Sequence, residues 1–183
     1  MACELTKGRG LDCRDVMGGI KFVYFVQHED STVAETAGAV SDLDLTTNLM
    51  RYSLPRATGS FVETIQPSSE NGTVFYEPSV NIKLHKLSVG DRNELKLLAQ
   101  NRLLMFVQTN VKDSNGKDII WCLGRNNGME LSAGTSATGA AFGDMNGYDL
   151  TFTGAEEEPA LYVQAYTTNP FDNSGFTVTI DAN

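Results

Sequence analysis

The chain has 183 residues, 41% of them hydrophobic, with a formal net charge of −9 and a pI near 4.6. That length suits one well-buried domain, and the charge disfavours sequence-independent binding to nucleic acid or to an anionic membrane. No apolar run approaches the roughly 18 residues that cross a bilayer, and Met1-Ala2-Cys3-Glu4 lacks the basic and apolar regions of a signal peptide. The expectation is a protein made in the cytoplasm, with no membrane anchor.

Residues 1–18 carry glycine, charge and two cysteines but little periodicity, and predict an extended arm ahead of a single domain over 19–183. Lys21-Phe22-Val23-Tyr24-Phe25-Val26, aromatic and β-branched, is the first strong strand. His28 to Asp42 is polar, small and longer than a tight hairpin connection, and reads as a loop. Leu43 to Leu54 and Gly59 to Gln66 read as strands, Pro67 to Gly72 as a loop with an Asn-Gly turn, and Thr73 to Tyr76 as the start of another strand. Pro78 removes a ladder donor, which predicts a bulge or a sheet edge.

From Ser79 to His85 polar and apolar residues alternate, which puts Val80, Ile82 and Leu84 on one face. Ser88 stands three residues before Asp91 in a capping-box-like spacing, and Leu95, Leu98 and Ala99 recur at helical spacing. One short helix over about 89–100, roughly three turns, is therefore predicted. Leu103 to Val107 reads as a buried strand, Asn115-Gly116 as a tight turn with φ > 0, and Ile119 to Leu123 as the returning strand.

Gly124 to Gly128 is a turn and Met129 to Leu131 a short strand, after which Gly134 to Gly139 belongs to a flexible loop over 133–147. Tyr148, Leu150 and Phe152 share one face of a strand, and Ala160 to Tyr166 and Phe176 to Ile180 complete the set. About nine or ten strands with one helix make a mainly β chain, a sandwich or barrel of antiparallel strands.

The parts of an enzyme are missing from this pattern. Cys3, Cys13 and Cys122 have no CxxC spacing and only His28 and His85 to help them, so neither a zinc site, a disulfide framework nor a Cys-His nucleophile is signalled. Gly134 to Gly143 lacks the lysine and helix of a phosphate cradle. Asp144, Asn146 and Asp149 match a calcium loop only in composition, without its order or closing Glu. Glu156-Glu157-Glu158 before Pro159 reads as a solvated turn. No catalytic residue, cofactor or metal is expected. A carbohydrate-binding sandwich would need exposed aromatics, whereas Trp121 lies in an apolar strand.

Two segments resemble virion structural proteins of tailed bacteriophages, and the strand order, the single helix and the length are most like a tail tube protein. They are Cys3-Glu4-Leu5-Thr6 through Cys13-Arg14-Asp15 to Gly18-Gly19-Ile20-Lys21, and Leu123-Gly124 through Asn127-Gly128-Met129-Glu130-Leu131, Thr138-Gly139 and Asp144 to Gly147-Tyr148-Asp149-Leu150-Thr151-Phe152. The resemblance implies a subunit whose sheets join side to side into rings, usually hexamers, that stack into a hollow tube. DNA passes through it without specific binding, other tail proteins are partners, and the protein resides in the virion. A tail terminator or a capsid decoration protein is the alternative within the same class.

Under this reading, the arm at 1–18 and the loops at 28–42 and 133–147 reach neighbouring subunits, with Cys3, Leu5, Leu11, Val33 and Val40 as candidate contacts. The strands flanking Pro67 to Gly72 would line the channel through Glu63, Glu77, Asn81 and Lys83. Lys83, the awkward cation on that wall, is expected to pair with a carboxylate.

Overall fold

The structure, a computed structural model, describes residues 8–9 and 16–182. Among these residues the chain is mainly β, with twelve strands in two sheets and one α-helix. The larger sheet contains β1 (Ile20–Gln27), β2 (Ser31–Thr36), β3 (Ala39–Leu45), β4 (Leu49–Ser53), β7 (Leu103–Lys112), β8 (Asp118–Leu123), β11 (Leu161–Val163) and β12 (Ile180–Asp181). Its order is β12-β4-β1-β7-β8-β11-β3-β2. The smaller sheet, in the order β5-β6-β10-β9, contains β5 (Gly59–Ser68), β6 (Thr73–His85), β9 (Glu130–Ala137) and β10 (Gly147–Thr153). Pairing is antiparallel throughout except at β11 with β3 and β12 with β4, which run parallel.

The middle of the larger sheet is covered on both faces, which explains why Leu103 to Val107 is an unbroken apolar run: none of the five is more than 3% exposed. On one face Val23, Phe25, Met105 and Val107 pack against Val80, Ile82, Leu150 and Phe152 of the smaller sheet, with Leu98 of the helix at the margin. This is a sandwich core. Each such buried side chain contributes about 1.5–3 kcal/mol of hydrophobic stabilisation before entropy is set against it.

On the opposite face Tyr24, Val26, Leu104, Phe106 and Ile120 meet Val40, Leu43, Leu49, Leu161, Val163 and Phe171 in a second core. The larger sheet curls around this cluster, and residues 177–181 join its two limbs. Thr177 donates to Leu43 O at 2.8 Å and accepts from Leu45 N at 3.1 Å, while Ile180 pairs with Leu49 of β4. The ladder is interrupted between these contacts, so the sheets form a sandwich with one curled layer rather than a closed barrel.

Phe171 fills the second core with an unusual backbone, φ 65°, a left-handed conformation that costs a bulky residue roughly 1–2 kcal/mol. Its ring packs edge-on against Tyr24 and Phe106, both at 5.1 Å. The neighbouring Asp172 fixes the loop: its carboxylate accepts from the backbone N–H groups of Thr167, Thr168 and Asn169, and from the Thr167 hydroxyl.

The helix α1 (Val89–Gln100) begins where the capping spacing places it, with Ser88 Oγ accepting from Asp91 N at 3.1 Å. Leu98 is its buried residue and Leu95 is half-buried, but Ala99 is exposed, so the packed stripe is narrower than the sequence spacing implies.

Several expected loops are strands. His28 to Asp42 contains a short 3-10 turn (His28–Asp30), then β2 and most of β3 in a hairpin whose Ala37 and Gly38 both have positive φ, at 55° and 78°. Only the glycine advertises such a turn. Leu43 to Leu54 is two strands broken at 46–48, and Gly134 to Ala137 is strand rather than loop. Pro78 lies in the continuous strand β6, with no bulge against β5 and with partners on both sides. On that side Pro78 O accepts from Gly154 N at 3.1 Å, just beyond the end of β10, so the proline withholds only the one bond its own nitrogen would have donated to the ladder. At Asn115-Gly116 only the glycine has positive φ, because Gly116 N donates to Asp113 O and the Asp113 carboxylate holds Asn115 N and Lys117 N in a wider loop.

Candidate functional site

The smaller sheet buries one face and leaves the other outward. Direct cross-strand partners share a face, so Val80, Ile82 and Leu84 lie inward with Phe152, Leu150 and Tyr148, whereas Glu77, Ser79, Asn81 and Lys83 lie outward with Thr153, Thr151 and Asp149. From β5 the outward face adds Ser60, Val62, Thr64 and Gln66, and from β9 it adds Glu130, Ala133, Thr135 and Ala137. The four strands contain a single Lys or Arg, Lys83, against three outward carboxylates, Glu77, Glu130 and Asp149.

A hydrogen-bonded row crosses this face. Lys83 Nζ lies 3.4 Å from Asp149, and Asn81 Nδ2 donates to Asp149 at 2.7 Å and to Thr151 at 3.0 Å. Gln66 donates to Glu77 at 3.1 Å. The pairing expected for Lys83 is thus made within the chain. Glu63 is a correction: it sits opposite Pro78, on the inward face, and its carboxylate accepts from Ala160 N at 2.7 Å. Glu77, Asn81 and Lys83 share the outward face and Glu63 does not.

Both long edges of this sheet lack a strand neighbour among the described residues. The backbone groups of Lys83 and the other odd β6 positions point to β5, as the bond from Lys83 N to Thr58 O shows, while Tyr76 bonds toward the other side. Alternation then leaves Phe61, Glu63 and Ile65 of β5 with outward-directed N–H and C=O groups, and likewise Ser132, Gly134 and Ser136 of β9. The β5–β6 hairpin also projects past β10, so Ile65, Val74 and Phe75 are exposed.

Of the candidate contacts, Val33 is half-buried against the second core, and Val40 is fully buried within it, so Val40 is a core residue and leaves that set. Cys3, Leu5 and Leu11, like nearly all of the arm, lie outside the described residues. The edge residues of β9 escape the sequence reading because Gly134 masks a period of two. The polar positions Asp149 and Thr151, alternating with Tyr148, Leu150 and Phe152, carry the signal for this outward face.

Other chemistry-bearing groups are held in structural contacts. Cys122 is buried in the second core, and burial pushes its thiol pKa up, opposite to what a nucleophile needs. Asp144 accepts from Ala140 N and Ala141 N, Asn146 accepts from Leu87 N, and Asp149 belongs to the row above, so the three do not converge on one cation. The acidic run is not simply solvated: Glu156 is 6% exposed and accepts from Asn126 N and Asn127 N, and Arg125 binds Glu35 and Glu158. Trp121 packs against Tyr162 with ring centroids 6.3 Å apart.

No family model, no curated protein and no solved structure matches the chain.

Proposed function

We propose that this chain is a virion structural protein of a tailed bacteriophage, a tail tube subunit that polymerises as stacked rings into a hollow tube for DNA passage. The observation that carries the reading is the four-stranded sheet whose two edge strands have no further strand paired to them among the described residues. Because its strands are antiparallel and even in number, β9 of one copy and β5 of the next run antiparallel when copies stand side by side. Addition therefore continues the same alternation, and a constant rotation per copy closes a ring through a heterologous contact.

With the outward face turned to the axis, a passing duplex meets Ser, Thr and carboxylate groups, and its one cation is already paired to Asp149. Such a wall offers phosphate few sites for counterion release, so DNA slides without adhering. The partners are copies of the chain, in hexameric rings, and other tail proteins. Assembly begins in the host cytoplasm and ends in the virion.

Negative-stain electron microscopy of the purified protein tests this directly, because rings or tubes are visible. Ser136→Pro removes an edge donor without touching an internal ladder bond, and is expected to leave a folded monomer that forms neither. Wild-type protein that stays monomeric at every concentration, or a proline variant that assembles normally, would overturn the edge-to-edge arrangement.

A further inference from the structure

Four Asn-Gly steps occur in the chain, at Asn71, Asn115, Asn127 and Asn146. Such steps are chemically labile, because glycine does not hinder attack of its own nitrogen on the preceding side-chain amide. The fold treats the four differently. Asn115 donates to Asp113 through both its backbone and its side chain, and Gly116 N is bonded to Asp113 O at 3.0 Å. Asn127 is tied by Nδ2 to Ala155 O at 2.6 Å and by its backbone N–H to Glu156, and Gly128 is buried. Asn146 accepts from Leu87 N, and Gly147 is buried in the β10 ladder, where an added Cβ would meet Leu84 O at 2.0 Å.

Asn71 is held by none of this. It lies in the four-residue turn at 69–72 that joins β5 to β6, its only bond among the described residues is a long one from its backbone N–H to Ser68 Oγ at 3.4 Å, and both it and Gly72 are exposed. Neither its side-chain amide nor Gly72 N has a hydrogen-bond partner among the described residues, and the space around the Gly72 Cα is open. We propose that Asn71 is a site of spontaneous deamidation, the one Asn-Gly step of the four that this fold leaves free to cyclise.

In the reaction the deprotonated Gly72 nitrogen attacks Cγ of Asn71, the Cγ–Nδ2 bond breaks, and Nδ2 leaves as ammonia with a proton from solvent. The resulting succinimide is opened by water at either carbonyl, giving aspartate or isoaspartate. The net change is one water consumed and one ammonia released, with no redox step. Each event adds a carboxylate to the tip of the projecting hairpin. The isoaspartate product also inserts a methylene into the backbone of a turn whose ends are fixed by the Ser68–Thr73 pair.

Incubation of the intact protein at mildly alkaline pH, followed by peptide mapping with two proteases, tests the assignment. The peptide carrying Asn71 is expected to gain one mass unit and to split into aspartate and isoaspartate forms. Asn115, Asn127 and Asn146 should react roughly tenfold or more slowly, since hydrogen bonds must open before they can cyclise. In concentrated denaturant the four rates should converge. Equal rates in the folded protein, or an Asn71 slower than any of the other three, would overturn the proposal, and an Asn71→Gln variant should lose the fast phase alone.

Discussion

Lys83 and Asp149 face each other across β6 and β10 as direct cross-strand partners, with ammonium and carboxylate 3.4 Å apart. The pair is partly exposed, so its contribution to stability is small, about 0.2–1 kcal/mol. Its larger effect is on the charge of the outward face. Glu77→Lys combined with Asp149→Asn should leave the melting temperature nearly unchanged, as surface substitutions do. The double variant should acquire duplex binding that weakens steeply with salt, measured by fluorescence anisotropy, where wild type shows little. Equal retention by both proteins at low salt would mean that this face does not meet DNA.

The helix offers a second check. Leu98 is the buried residue of α1, at 9% exposure, so Leu98→Ala should cost about 2 kcal/mol, near the low end for a core leucine. Ser88→Ala should cost about 1 kcal/mol through loss of the cap to Asp91. Urea titrations of both variants measure these losses, and unchanged midpoints would mean that the helix does not pack where it is described.

Removal of residues 1–15 should separate assembly from folding. Gly18 O and Gly19 O accept from Asn110 Nδ2 and N, contacts that the deletion leaves in place. The truncated protein is expected to melt as wild type does and to form shorter polymers or none. Full-length tubes from it would remove the arm from the assembly reading.

Acid should loosen the loop around Phe171. Backbone N–H groups, Asn169 first, hold the Asp172 carboxyl well below its ordinary value of 3.8. A depressed carboxylate supplies stability that is fully present above that ordinary value and is lost as the pH falls through the folded-state pKa. Asp172→Asn should therefore lower the melting temperature at neutral pH, and the gap from wild type should close as the solution is acidified below the ordinary carboxylate range. A gap that persists undiminished in strong acid would assign the role of Asp172 to something other than its charge.

Much of this architecture is legible in residue order. The doubly covered strand shows in Leu103 to Val107, the half-covered one in Val80, Ile82 and Leu84, and the helix start in Ser88 and Asp91, because burial and capping leave local patterns. Glu63 shows why the outward face is only half legible. The four residues of the turn at 69–72 pair Glu63 with Pro78 and Thr64 with Glu77, and a slip of one residue would have put Glu63 outward. Register is decided by the turn and by both strands together, so alternation within β5 alone does not reveal its face. The Ala37-Gly38 hairpin stayed hidden for a related reason: alanine at positive φ is tolerated by context and carries no signal of its own.

The seam made by residues 177–181 has a temporal side. Phe171, Thr177 and Ile180 cover or join strands synthesised long before them, and until they leave the ribosome Tyr24 and Phe106 have no ring above them and β3 and β4 no bridge. A nascent chain can pair β1 with β7 and lay down the small sheet, but its second core stays open. If adhesive edges build a polymer, as proposed, a chain not yet extended through residue 181 carries the edges of the small sheet while its second core is still open.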